Sequence, residues 1–171
     1  MIIYATDKAK IKWPKDSAHD PDSEVEYSIS YGVPERQDAT VYTKGIDVVR
    51  PSVANGCIYE CVSGGITGTG TTMLTKEGST FDDGDVTWKT LPATTRLQAG
   101  DQITASTWEA DSVDVTITDA SIVDAIATKC KITTVPAGAT SFELTNTVDI
   151  TYATGRTEKR QKTLIIPIKE L

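Results

Sequence analysis

The sequence predicts an all-β fold, a β-sandwich, and three observations carry that prediction. Short runs of alternating apolar and polar residues recur at a spacing of roughly 8 to 12 residues. Gly- and Pro-rich turn signals separate them, and no stretch has the period of an amphipathic helix. The composition agrees: only 6% of the 171 residues are aromatic, whereas Thr, Val and Ile recur in short runs, and β-branched side chains suit a pleated surface. A hydrophobic content of 39% is enough to bury the core of one domain or two small ones.

The first organised segment is Lys12 to Asp16, which includes Trp13. A turn at Pro21-Asp22 leads into the first clear strand, where Val25, Tyr27, Ile29 and Tyr31 alternate with Glu26, Ser28 and Ser30. Gly32 to Asp38 breaks the pattern with Pro34 and the charged pair Glu35 and Arg36. Thr40 to Tyr42 and Asp47 to Val49 are short strand-like pieces with a turn at Lys44-Gly45, and Pro51 and Asn55-Gly56 set the next turns. Two further strands follow, Cys57 to Val62 and Asp85 to Lys89. Between them runs a Gly/Thr-rich loop from Gly64 to Thr80 whose apolar residues are Ile66, Met73 and Leu74, a length of loop that suits an interaction role.

Strand signals resume after Leu91-Pro92. Asp101 to Trp108 places Ile103, Ala105 and Thr107 on one face and leaves the face of Trp108 undecided, because its parity to Ile103 is odd. Val113, Val115 and Ile117 form the next strand; Ile122 to Ile126 is ambiguous; Lys129 to Val135 ends at the Pro136-Ala137-Gly138 turn. Phe142, Leu144, Asn146, Val148 and Ile150 share one side of a long strand, Thr154-Gly155 breaks it, and Lys162 to Ile168 is the last strand. The predicted sandwich is 12–35 plus 92–171, with 39–91 as a small inserted β lobe. Its candidate core residues are Tyr27, Ile29, Tyr59, Trp88, Ile103, Val115 and Leu144.

Charge and composition exclude several functions. A net charge of −7 and a pI near 4.7 argue against a nucleic-acid partner, because that affinity rests on Lys and Arg neutralising phosphates. The basic clusters Lys8 to Lys15 and Arg156 to Lys162 read as solvated strand ends, the latter protecting the edge of the last strand through Lys159, Arg160 and Lys162. No apolar run reaches the roughly 20 residues of a membrane span, and the N-terminal residues lack a signal-peptide core, so synthesis in the cytoplasm without membrane contact is expected.

Cys57 and Cys61 lie four apart in a strand, about 13 Å from each other on one face, too far to bridge; with Cys130 they read as buried free thiols, and no cofactor is expected. One histidine, His19, supplies little for a catalytic constellation, so no enzyme is predicted. Asp82, Asp83, Asp85, Asp111 and Asp114 admit a glycosidase carboxylate pair or a calcium site, but read better as turn formers. Trp13, Trp88 and Trp108 admit a glycan-binding reading, but their strand positions favour packing.

Two sets of motifs resemble known families. Gly56-x-x-Tyr59-x-Cys61-x-x-Gly64 followed by Asp83-Gly84-x-Val86-x-Trp88 resembles a small β module that recurs, inserted in host domains, in structural proteins of tailed bacteriophages. The flanking pieces are Asp20-Pro21-Asp22 with Tyr27-Ser28-Ile29; Gly100-Asp101-x-Ile103-x-x-Ser106-x-Trp108; Thr145-Asn146-Thr147-Val148; and Gly155-Arg156-x-Glu158-x-Arg160. They resemble the immunoglobulin-like fiber-tail adaptors of those phages, with Tyr31 where Trp is usual and Glu158 where Asp is usual. The resemblance implies an Ig-like sandwich in a non-enzymatic virion protein, a neck or tail adaptor joining fibers or neighbouring rings. A capsid decoration protein and a host-glycan-binding module are the alternatives. The implied partners are other virion proteins and further copies of the chain. The candidate interface is Arg156 and Arg160, which suit carboxylates of a neighbour, with Glu158 beside them, together with Ile66, Met73 and Leu74 of the Gly/Thr loop.

Overall fold

Alternation of inward apolar and outward polar residues forces these segments into pleated strands, and the strands pair into four sheets. A computed structural model describes residues 2–4, 10–12, 18–21, 23–93 and 96–169, the first two stretches as backbone. The strands, in chain order, are β1 (Ile2–Tyr4), β2 (Lys10–Lys12), β3 (Val25–Ser30), β4 (Val41–Tyr42), β5 (Val48–Val49), β6 (Cys57–Ser63) and β7 (Gly65–Ile66). They continue with β8 (Thr80–Asp83), β9 (Val86–Pro92), β10 (Gln102–Ala110), β11 (Thr116–Val123), β12 (Ala127–Thr134), β13 (Ser141–Thr151) and β14 (Thr157–Pro167). Among the described residues there is no helix. The chain divides into two compact units, Met1–Tyr31 with Asp101–Leu171, and Gly32–Gly100.

The first unit is an Ig-like β-sandwich. One sheet has the order β1-β3-β12-β11 and the other β10-β13-β14-β2, which correspond to the A-B-E-D and C-F-G sheets of an immunoglobulin domain with one strand added beside G. The inner faces bury Tyr27, Ile29, Cys130 and Ile132 from the first sheet and Ile103, Trp108, Leu144, Val148, Ile150 and Leu164 from the second. Immunoglobulin domains commonly link their sheets with a disulfide. Here Asn146 does so with hydrogen bonds. Its Oδ1 accepts from the Tyr31 hydroxyl (2.8 Å) and the Thr128 hydroxyl (2.9 Å), while its Nδ2 donates to Ser106 Oγ (2.9 Å) and the Thr107 carbonyl (3.1 Å). All four bonding positions of a fully buried amide are thereby satisfied.

The second unit, here called the lobe, is an antiparallel sheet β5-β6-β9-β8 with a two-strand ribbon β4-β7. One cluster gathers Tyr42, Val49, Cys57, Tyr59, Cys61, Val86 and Trp88, and a smaller one gathers Val33, Ile58 and Ala93. Trp88 packs edge-on to Tyr42 at 5.0 Å, and Tyr59 edge-on to Phe81 at 5.5 Å. The Gly residues of the module fit a close approach: a Cβ on Gly65 would sit 2.6 Å from Asp85 Cβ, and Gly84, at φ +66°, would put one 2.5 Å from the Ile66 carbonyl oxygen.

Several features differ from the sequence reading. Residues 32–35, 92–93 and 96–100, predicted in the sandwich, belong to the lobe: Arg50 N donates to the Pro34 carbonyl (2.9 Å), Arg36 N to the Arg50 carbonyl (2.9 Å), Ala93 N to the Gly56 carbonyl (2.9 Å), and Gly32 bridges Leu97. Edge strand β1 precedes the predicted start at Lys12, and β2 begins two residues before it. Val113 is not in a strand and is fully exposed, because Ser112 accepts the Asp114 amide on its hydroxyl and the Val115 amide on its carbonyl, which makes a turn there. Ile122 ends within β11, and β14 begins at Thr157, five residues before the predicted Lys162. The face of Trp108 is set by a bulge between Ile103 and Ala105, after which Ser106 and Trp108 point inward and the predicted Ala105 and Thr107 outward. Lys8, Trp13, Lys15 and Asp22 lie outside the described residues.

Candidate functional site

The β13–β14 hairpin is a tight turn, with Tyr152 N donating to the Arg156 carbonyl (2.8 Å), Gly155 N donating to the Tyr152 carbonyl (2.8 Å), and Gly155 at φ +82°. It brings Arg156, Glu158 and Arg160 together around Tyr152. Arg160 Nε donates to Glu158 Oε1 (2.8 Å) and its Nη2 to the Tyr152 hydroxyl (2.6 Å), which in turn donates to Glu158 Oε2 (2.8 Å). Arg156 Nη2 donates to the same Oε2 (2.9 Å), and its guanidinium lies 4.3 Å from the Tyr152 ring centroid. Arg160, followed by Tyr152, holds the Glu158 carboxyl below the usual carboxylate range.

The two arginines therefore have different availability. Arg160 is 19% exposed and spent on Glu158 and Tyr152; Arg156 is 66% exposed and is fixed on one side only. Two guanidinium groups share one carboxylate, so the hairpin carries a local excess of positive charge on a chain of net −7. The tyrosine that organises it was not among the residues singled out from the sequence. Its signal was its place four residues before Arg156 across a Gly turn.

The apolar candidates lie in the lobe. Ile66 is half exposed on β7 and pairs directly across the ribbon with Val41, which is 69% exposed and which sequence reasoning missed. Leu74 is also exposed, and its carbonyl accepts from the Tyr59 hydroxyl (2.9 Å), whereas Met73 packs against the cluster around Trp88. Of the predicted core residues, all seven are buried, with Val115 at the limit.

Asp83 has a structural environment. It is buried, and its carboxylate accepts from Arg36 Nε (2.8 Å), Arg36 Nη2 (2.7 Å), Gly68 N (3.0 Å), the Thr71 hydroxyl and Trp88 Nε1 (2.9 Å). Burial pushes its carboxyl up, but the Arg36, Thr71 and Trp88 donors together outweigh that and hold it below 3.8. Asp82, in β8, accepts the Thr87 hydroxyl across the hairpin (2.8 Å), and Asp111, just beyond β10, accepts the Glu143 amide of the neighbouring β13 (3.0 Å). Among the described residues no three His, Cys, Asp or Glu side chains converge in a metal-holding group. Cys57, Cys61 and Cys130 are buried free thiols, and neither Trp88 nor Trp108 offers an exposed ring face. No protein-family model matches the chain, and no curated protein matches it.

Proposed function

We propose that the chain is a non-enzymatic structural protein of a tailed-phage particle, an adaptor in the neck or tail that joins fibers or neighbouring rings. The observation that carries this reading is the Gly155–Arg160 hairpin, where the segment resembling the fiber-tail adaptors also presents a guanidinium stacked on Tyr152. Interface hot spots favour Arg and Tyr, and a side chain already held in place loses little freedom on docking. The partner's contribution at this point is a carboxylate, which a guanidinium binds in a bidentate fashion. The exposed Val41–Ile66 pair supplies an apolar contact on the lobe.

Quantitative mass spectrometry of purified particles tests the proposal. The expected result is a stoichiometry of about six or twelve copies, as ring symmetry in a neck or tail gives. On the order of hundreds of copies supports capsid decoration instead. Absence of the protein from purified particles overturns the reading.

A further inference from the structure

His19 is the only histidine in the chain, and it is fully buried in the sandwich. Its Nδ1 is 2.8 Å from the Tyr27 hydroxyl, and its ring stacks on Tyr27 and meets Phe142 edge-on, each at 6.0 Å between centroids. Its Nε2 is buried without a hydrogen-bond partner. The backbone of the same residue clamps the end of the last strand: His19 N donates to the Pro167 carbonyl (2.8 Å), and Lys169 N donates to the His19 carbonyl (2.8 Å). An ion pair between Asp20 and Lys169 (3.6 Å) closes the same strap on its outer side.

We propose that His19 is an acid-sensitive latch that fastens residues 18–20 to the C-terminal end of β14 while its imidazole is neutral and releases them when the ring is protonated. A neutral imidazole satisfies one nitrogen at Tyr27 and leaves the other unpaired at moderate cost, whereas an imidazolium needs an acceptor at both. Among the described residues, Nε2 meets no acceptor. Tyr27 on β3, with Cys130 opposite it on β12, is a buried neutral hydroxyl, and Phe142 on β13 is apolar; Lys169 beyond β14 meets His19 through its backbone, and its exposed ammonium pairs with Asp20. Asp20, on the strap itself, favours the charged ring but less strongly than burial opposes it, so the pKa of His19 lies below 6.5.

Release has a structural consequence beside the latch. An open cavity of about 610 Å³ is lined by Pro21, Val135, Pro136, Thr140, Ile168 and Lys169. Pro21 sits directly after the strap, and Ile168 and Lys169 form the segment it holds, so opening the latch removes that wall and widens access to the apolar end of the sandwich. This inference stands apart from the proposed place in a phage particle, since it concerns the isolated chain.

The sign follows from linkage. A group whose folded pKa is depressed stabilises the closed state fully above its unfolded value and loses that contribution as pH falls. The latch is therefore closed above 6.5, and its closing constant falls about tenfold for each pH unit below that, until the ring's folded pKa is passed. Hydrogen exchange of the His19 and Lys169 amides, corrected for intrinsic rates, is to be compared at about pH 7.5 and about pH 5.0, alongside the NMR titration of the His19 ring. The expected result is a loss of protection at those two amides, about tenfold for each pH unit by which the ring's titration lies below 6.5, with the centre of β13 unchanged, and its absence in His19→Phe. Unchanged protection in the wild-type protein, ring titration at or above 6.5, or the same loss in His19→Phe overturns the proposal. Should His19→Phe not fold, the wild-type ring titration and exchange decide alone.

Discussion

The sandwich and the lobe each build a hydrogen-bond network on a buried polar side chain, and the two side chains have opposite chemistries. Asn146 in the sandwich is neutral and joins two sheets through four hydrogen bonds. Asp83 in the lobe is ionised and joins the β8–β9 hairpin to Arg36, Gly68 and Thr71. The cost of desolvating an amide is offset when all four of its positions are bonded, and its removal leaves only neutral groups unpaired. A buried charge is different: removing one member of the pair leaves the other uncompensated. The lobe has short strands and much loop, so a charged centre that gathers several loops at once does there what sheet-on-sheet packing does in the sandwich.

The largest effect is therefore expected from Asp83→Ala. Arg36 is only 10% exposed, and without Asp83 it keeps Asp38 and the Gly68 carbonyl alone. A destabilisation of about 3–5 kcal/mol is expected, confined to the lobe. Denaturant unfolding followed by Trp88 and by amide exchange in β6 and β9 should show the lobe opening first while β13 stays protected. A cooperative loss of both units at once would break the comparison, since it would mean that the two cores are not energetically separate.

Asn146→Ala comes next, at about 1–3 kcal/mol, because the Tyr31 and Thr128 hydroxyls lose their acceptor in a dry interior. The triple change Asn146→Leu with Tyr31→Phe and Thr128→Val removes the acceptor and both of its donors together, leaving only the Ser106 hydroxyl and Thr107 carbonyl without their donor, and is expected to recover part of that loss. No such apolar rescue is expected for Asp83 unless Arg36 is replaced with it. A chemical-denaturation series on these variants measures both contrasts.

These two residues also mark what the sequence could and could not reveal. Period-2 alternation made β3 and β13 legible, and with them the inward side of Asn146 and the burial of Tyr27, Ile29 and Leu144. The partners of Asn146 come from three other strands and loops, however, and alternation says nothing about which strands lie opposite. Ala105 and Thr107 leave the face they share with Ile103 in the alternation because a bulge shifts the parity of β10 after Ile103, and a bulge leaves no mark in a hydrophobic pattern. Asp83-Gly84 reads as a turn, which it is, but its ion pair depends on Arg36, 47 residues earlier. Edge strands of three residues, such as β1 and β2, are too short to show any period. The hairpin charges of Arg156, Glu158 and Arg160 were legible as a motif, and the tyrosine between them was not.

Acid sharpens the comparison at a smaller scale. The carboxyl of Asp83 has a lowered folded pKa, so its contribution is fully present above its unfolded value near 3.8 and is lost as pH falls through the folded value. Asn146 has no proton to gain. Below about pH 4 the lobe should therefore lose stability by up to about 1.4 kcal/mol per pH unit from this group, a slope that Asp83→Asn abolishes. Urea midpoints of the lobe measured between pH 5 and about pH 2.5 test this. A slope of equal size in Asp83→Asn would show that other carboxylates govern the acid response.

The smallest effect on stability is expected at Arg156, and that is what separates it from both buried centres. Its guanidinium is mostly in water, makes one ion pair with a carboxylate that Arg160 already holds, and gains a modest cation–π contact with Tyr152. An exposed pair and such a contact are together worth about 1 kcal/mol or less. Arg156→Ala should accordingly keep its denaturation midpoint close to that of the wild-type protein. Arg160→Ala should cost more, because it strips Glu158 of its strongest partner within a largely covered cluster. If the hairpin is a docking point, the order reverses in assembly: Arg156→Ala should lower incorporation into particles about tenfold or more, and Arg156→Lys, which keeps the charge but loses the planar fork, should recover only part of it. Incorporation of Arg156→Ala at wild-type levels, with the fold intact, would remove the hairpin from the interface and leave the Val41–Ile66 ribbon as the surface to test.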